Sequence, residues 1–222
     1  MTKHFERQMD KLKSMLLELG AQVEESVEQA IRAVALRDPD LAREVIEGDR
    51  RIDLMEIDVE EECLHTLALF QPLATDLRFV VSVVKINNDL ERIADLAANL
   101  AEQALFLIDQ PLVDDVPFDL DDESRRVRRM VKQSLDSLVH NDLSLAESVR
   151  HADERVDAIH RAMYRKVKRA IRDNPDDVDG LIAYFNISRH LERIADHAVN
   201  IAEDVIYMEL GEIHRHAAGD EG

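Results

Sequence analysis

The 222-residue sequence contains no tryptophan and only 4% aromatic residues, so a folded core has to be built from aliphatic side chains. It has one cysteine, Cys63, which excludes an internal disulfide and agrees with a reducing, cytoplasmic setting. Glycine and proline are scarce, six and five residues, which with many Glu, Ala, Leu and Arg points to long helices. No run of 18 apolar residues occurs, and the polar start, Met1–Asp10, does not read as a secretion signal. Positive charge is also short: 28 Lys and Arg face 47 Asp and Glu, a formal net charge of −19. That balance argues against nucleic acid, whose backbone needs clustered cations, and against direct docking on an anionic membrane. It favours cations or a basic partner instead.

What is present is helical periodicity and a repeat. Phe5, Met9, Leu12, Leu16, Leu19, Val23, Val27, Ala30 and Val34 recur every three or four residues, the stripe of one long helix. Asp38-Pro39-Asp40 ends it and starts a second, carrying Val45, Ile52, Val59 and Cys63 to about Phe70. Gln71-Pro72 opens a third, with Leu73, Leu77, Val80 and Val84, running to about Ile108. A helix over about 123–140 follows, then one with its stripe from Leu145 to Ala170 that Asp173-Asn174-Pro175 ends, then one over about 177–209. The segment Asn88–Glu102 returns as Arg189–Glu203 with ten of fifteen residues identical at an offset of 101. The predicted fold is all-α: two tandem antiparallel three-helix bundles, each around its own core. The expected divisions are residues 1–108, an acidic linker over 109–122, residues 123–209 and a polar tail over 210–222.

The repeated positions are not only apolar. Glu91, Asp95, Asn99 and Glu102 return as Glu192, Asp196, Asn200 and Glu203, within an arc of roughly 80° on one helix face. The preceding helix of each half has its own pair, Asp49 with Asp53 and Asp153 with Asp157. Residues i and i+4 lie one turn apart on one face, where two carboxylates repel unless a cation joins them. If neighbouring helices bring the pairs together, the oxygen density suits Mg²⁺, Mn²⁺, Ca²⁺ or iron. The other reading is solvated acids neutralised by Arg50, Arg51, Arg92 and Arg193. Along the same faces lie Glu56 and Glu60 in the first half but His160 and Tyr164 in the second; His190 replaces Asp89, and His197 replaces Leu96. An imidazole would tilt the second site toward iron, zinc or nickel. Asn99 and Asn200 read as inter-helix hydrogen-bonding residues or further ligands.

Catalytic signatures are sparse. Glu62-Cys-Leu-His65 occurs once, whereas ferritin-like di-iron bundles use that element twice. There is no phosphate loop, dinucleotide fingerprint or nucleophile elbow. No catalytic residue is assigned, and a non-enzymatic protein is expected. The alternative is a metalloenzyme, a hydrolase or oxidase whose surface cluster activates water.

Several stretches together resemble one family: His4-Phe5, Leu19-Gly20, Arg37-Asp38, Gln71-Pro72 with Asp76 and Arg78, Lys85-Ile86 running into Asp89, and Leu191 through Tyr207. The chain resembles the PhoU family of bacterial phosphate-transport accessory and phosphate-signalling proteins over nearly its whole length. The resemblance implies tandem three-helix bundles with multinuclear iron or zinc clusters, Mn or Mg being the other candidates. It implies ligands at Asp49, Asp53, Glu91, Asp95, Asp153, Asp157, Glu192 and Asp196. It further implies a negative regulator of phosphate uptake, a cytoplasmic adaptor joining the phosphate ABC transporter ATPase to a sensor histidine kinase. Membrane contact would then be only through partners, and the arrangement leaves room for a homodimer.

Overall fold

A computed structural model describes residues 3–111, 113 and 120–211. Six α-helices, α1 (Lys3–Leu36), α2 (Pro39–Phe70), α3 (Thr75–Ile108), α4 (Leu120–His140), α5 (Leu143–Asp173) and α6 (Val178–Leu210), account for nearly all of it, with a single 3-10 turn at Pro175–Asp177. The corners repeat as faithfully as the helices. Arg37 and Asn141 both adopt φ of 52° and are each followed by an aspartate N-cap. Asp38 accepts from the amides of Asp40 (3.0 Å) and Leu41 (3.1 Å), and Asp142 from that of Leu145 (3.0 Å). Pro39 occupies the first turn, where its missing N–H costs nothing.

The stripe expected on α1 is the buried one: Phe5, Leu12, Leu16, Leu19, Val23, Val27, Ala30 and Val34 all lie inside. The expectation of two separate cores is corrected. Buried residues from all six helices form one continuous cluster, Leu16, Ile52 and Leu90 joining Met130, Val156 and Leu191. The reason is α3 and α6, which make the most extensive helix contact in the molecule. Each also carries buried alanines (Ala97, Ala101 and Ala104; Ala195, Ala198 and Ala202). They run antiparallel: Lys85 Nζ meets Asp204 Oδ1 (3.2 Å), and Asp89 Oδ1 meets His197 Nδ1 (2.8 Å) and Asn200 Nδ2 (3.1 Å). Behind them α1 packs on α4, where Gly20 is so close to Leu135 that a Cβ would sit 2.8 Å from its Cδ2. A charge ladder crosses that contact: Glu28 takes Arg128 (2.7 Å) and Glu24 takes Lys132 (3.8 Å). Counting 104 residues on from Glu24 and Glu28 lands on Arg128 and Lys132, so the two halves carry opposite charges at equivalent positions.

Two boundaries differ from expectation. The chain passes through Gln71 (φ 46°) and Ala74 (φ 48°) before α3 starts at Thr75, so Leu73 lies outside the helix and is 78% exposed. Helix α4 starts at Leu120, not Glu123, and at 21 residues is far shorter than the 34-residue α1. In place of the missing turns, Val113 packs against Met163, Val167 and Leu181, a small satellite core. Half of the acidic linker expected over 109–122, and almost all of the tail over 210–222, lie outside the described residues. Because Leu90 is fully buried in the shared cluster, Leu90→Ala is expected to cost about 2–5 kcal/mol. Urea titration should show a lower midpoint, with one transition rather than two for the whole chain.

Candidate metal centres

Helix periodicity puts Asp49 and Asp53 on the face of α2 that meets α3, one turn apart. From α3, Asp95 projects into the same groove. One carboxylate oxygen from each of these three lies within 4.8 Å of the other two. The second half repeats the figure: Asp153 and Asp157 on α5 converge with Asp196 on α6 within the same 4.8 Å. Asp196 is exposed and the other five are half-buried, so both clusters sit at the surface of the bundle.

Neutralisation by arginine is incomplete. Arg92 reaches Asp95 (3.3 Å) and Glu91 (3.4 Å), and Arg161 reaches Asp157 (2.8 Å). Among the described residues Arg50, Arg51 and Arg193 make no ion pair with these acids. Asp49 Oδ1 and Asp153 Oδ1 are buried without any hydrogen-bond donor, at equivalent places in the two halves. A buried carboxylate oxygen with no donor is costly unless a cation or a proton takes it. The titration behaviour agrees. Burial, then Asp53 and Asp95, push Asp49 up to about 6. Burial, then Asp196 and Asp157, do the same to Asp153, and burial, Glu192 and Asp157 raise Asp196 to about 6. The donors are all hard oxygens and the orphaned atoms face like charges, so the residues fit a divalent or trivalent cation.

The other expected ligands stand at varying distance from these triads. Glu91 and Glu192 are neighbours rather than members; burial and the triad carboxylates raise both above the ordinary range. Glu56 is held by Asn87, whose Nδ2 donates to its Oε1 (3.1 Å) and its carbonyl (3.0 Å). Glu60 is exposed. Asn99 donates to the Asp95 carbonyl on its own helix (2.7 Å), so it makes no inter-helix bond there. Asn200 and His197 turn to Asp89, across the α3–α6 seam. His160 points Nδ1 at Ser188 Oγ (3.0 Å) and stacks on Phe185 at 5.2 Å.

Behind His160 lies a group that periodicity alone does not reveal. Ser188 Oγ donates to Glu123 Oε1 (2.7 Å), and Glu123 is wholly buried although it sits in the first turn of α4. Burial raises it to about 7 against the Ser188 hydrogen bond. The signal that could have found it is the repeat: counting back 104 residues from Glu123 lands on Leu19, a core position. When Ser188 donates to Glu123, its oxygen can still accept from His160 Nδ1–H, so the three side chains form one chain of hydrogen bonds. His190, in the place of Asp89, is buried with Nδ1 unpartnered and lowered to about 4 by burial and the nearby Arg189 and Arg193. Asp153 and Asp196 also line an open groove of about 870 Å³ that reaches Lys85 and Asp89 on α3, so the second cluster adjoins the seam.

These features define a class: duplicated helical-bundle proteins with one carboxylate cluster per repeat. Comparison makes it specific. The PhoU domain matches residues 16–104 and again 120–205. A phosphate-specific transport system accessory protein PhoU homolog of Thermotoga maritima is 34% identical over 94% of this chain and 90% of its own. The crystal structure of PhoU from Pseudomonas aeruginosa superposes with a TM-score of 0.91 at 35% identity, covering 94% of this chain and all of the other. A phosphate transport system regulatory protein PhoU from Streptococcus pneumoniae has a TM-score of 0.83 at 31% identity, over 94% and 98% of the two chains. The chain belongs to the PhoU family.

The raised carboxyls fix a sign for pH dependence. An acid whose folded value lies above its ordinary one keeps its proton in the folded state after the unfolded chain has lost it. The folded state then binds more protons, and stability falls as pH rises. For Asp49, Asp153 and Asp196 the window runs from their ordinary 3.8 to about 6. Chelator-treated protein should therefore lose stability between those pH values, with Asp49→Asn/Asp153→Asn flattening the trend. Thermal melts across that range test it; an unchanged slope in the double variant contradicts the assignment.

Proposed function

We propose that this chain is a cation-loaded regulator of phosphate uptake. The observation that carries the metal reading is the pair of equivalent, buried, donor-free oxygens, Asp49 Oδ1 and Asp153 Oδ1, each facing two further carboxylates. Asp49, Asp53 and Asp95 would hold one centre and Asp153, Asp157 and Asp196 the other, with Glu91 and Glu192 near enough to join as carboxylates shift. When bound, a multinuclear iron or zinc centre, or Mn or Mg, supplies positive charge that cancels the convergent acids. The chain's own part is to clamp α2 to α3 and α5 to α6 through those acids.

The regulatory reading rests on relatives that match nearly full length and are named as accessory and regulatory proteins of phosphate transport. In this reading the protein is a cytoplasmic, non-catalytic adaptor. It contacts the phosphate ABC transporter ATPase and a sensor histidine kinase, restraining uptake and signalling when phosphate is plentiful. No helix among the described residues is long and apolar enough to cross a membrane; in this reading membrane association runs through those partners. The hydrolase or oxidase alternative gains no observation, since none of these relatives is named for a reaction.

Elemental analysis of protein purified without chelator should find metal. Asp49→Asn/Asp53→Asn and Asp153→Asn/Asp157→Asn should each remove about half of it, and with it the thermal shift on adding Fe²⁺, Zn²⁺ or Mn²⁺. Equal metal in wild type and a variant lacking all four aspartates would exclude these sites. For the regulatory role, deletion should raise phosphate uptake under replete conditions. Pull-down with the transporter ATPase or the kinase should recover the protein in a phosphate-dependent yield.

A further inference from the structure

The C-terminal half of α5 departs from the charge of the rest of the molecule. Between Asp157 and Asp173 it carries six cations and no acid, in a chain of net charge −19. Arg161, Arg165, Lys168, Arg169 and Arg172 fall within an arc of roughly 100°, a stripe about 16 Å long on one helix face. All five are exposed. Only Arg161 has an acidic partner, Asp157; among the described residues the other four make no ion pair. On α4, by contrast, four of the five Lys and Arg residues, Arg125, Arg126, Arg128 and Lys132, are matched with carboxylates, leaving Arg129. The stripe is not a by-product of the repeat either. The equivalent positions on α2 are Ile57, Glu61, Leu64, His65 and Ala68. The opposite face of α5, through Met163 and Val167, packs on Leu181 and Val113, so the stripe is not needed to hold the fold.

We propose that this stripe is a docking surface for an acidic segment of a partner protein, with carboxylates spaced about one helical turn apart. Three features select that occupant. Four of the five cations are arginines, whose planar guanidinium matches carboxylates two bonds at a time. The stripe is narrow and straight, and acids close both ends: Asp157 at one, Asp173, Asp176 and Asp177 at the other. A flat anionic bilayer laid on it would meet those acids, whereas a linear segment of about three turns would not. At physiological salt charges are screened beyond about 8 Å, so the stripe acts locally despite the negative whole. The surface is independent of the metal centres and stands whether or not they fill.

The test uses the full chain at about 0.1 M salt, where the screening length is about 10 Å. The probe is a fluorescein-labelled helical peptide with glutamate at every fourth position, read by fluorescence anisotropy. Saturable binding is expected, weakened roughly tenfold or more in Arg165→Glu/Lys168→Glu/Arg169→Glu. The reversal Lys3→Glu/Arg7→Glu/Arg32→Glu changes net charge equally at exposed, unpaired cations of α1 and should leave binding unchanged. The milder Arg165→Gln/Lys168→Gln/Arg169→Gln guards against a folding defect and should weaken binding in the same direction. Equal loss in both charge-reversed proteins, or no binding by wild type, overturns the proposal. So does capture by phosphatidylserine vesicles without peptide binding, or a stripe-dependent dimer in sedimentation.

Discussion

Antiparallel packing of α3 on α6 is the constraint from which the rest of the architecture follows. It merges two homologous halves into one core and forces an approximate two-fold relation between them. Under that relation α1 must meet α4 in opposite directions, which is why Glu24 and Glu28 can each find the cation standing at the other's equivalent place. The same operation carries one acidic cluster onto the other. The seam also carries polar pairs that fix its register: Asp89, engaged by both His197 and Asn200, ties α3 to α6 at one alignment. The two-fold is broken where His190 and Leu96 stand in place of Asp89 and His197.

The carboxylate triads show how far a local rule reaches. Spacing of four places Asp49 beside Asp53 on one helix, and that much is legible in the order of residues alone. Whether Asp95 meets them depends on the rotation of α3 against α2, which is set by Val59, Ile86 and Ile93 filling the core, not by the acids. The acids are carried into repulsion by packing that is favourable elsewhere. Such frustration is typical of sites that wait for a ligand.

Much of the fold is legible in the sequence because its signals are redundant. The α1 stripe, the Asp38-Pro39 cap and the repeated Leu-Glu-Arg-Ile each point to the same helices. What escapes is what depends on contacts between helices or on backbone strain. The start of α3 is misplaced because Gln71 and Ala74 take left-handed angles that neither residue type advertises. The single core escapes because an apolar arc wide enough for one bundle looks, in one dimension, like an arc wide enough for two. Glu123 escapes because an acid in a first helical turn is an ordinary capping choice, and only its partner Ser188, 65 residues away, makes it a core residue. The inward turn of His160 is the same kind of fact: an exposed-looking imidazole whose orientation is decided by two side chains on other helices.

The solitary thiol acquires a use from its position. Cys63 is fully enclosed on α2, and burial together with Glu62 and Glu60 pushes it up to about 12, far from the thiolate that alkylating reagents attack. Beside it on α2, Glu62 and Thr66 are both bonded by Gln8 of α1, so the thiol is shielded while the two helices stay together. In the closed molecule it is chemically silent. Its labelling rate is therefore a clock for the opening of the core around α2, with no competing sulfhydryl in the chain to blur the reading.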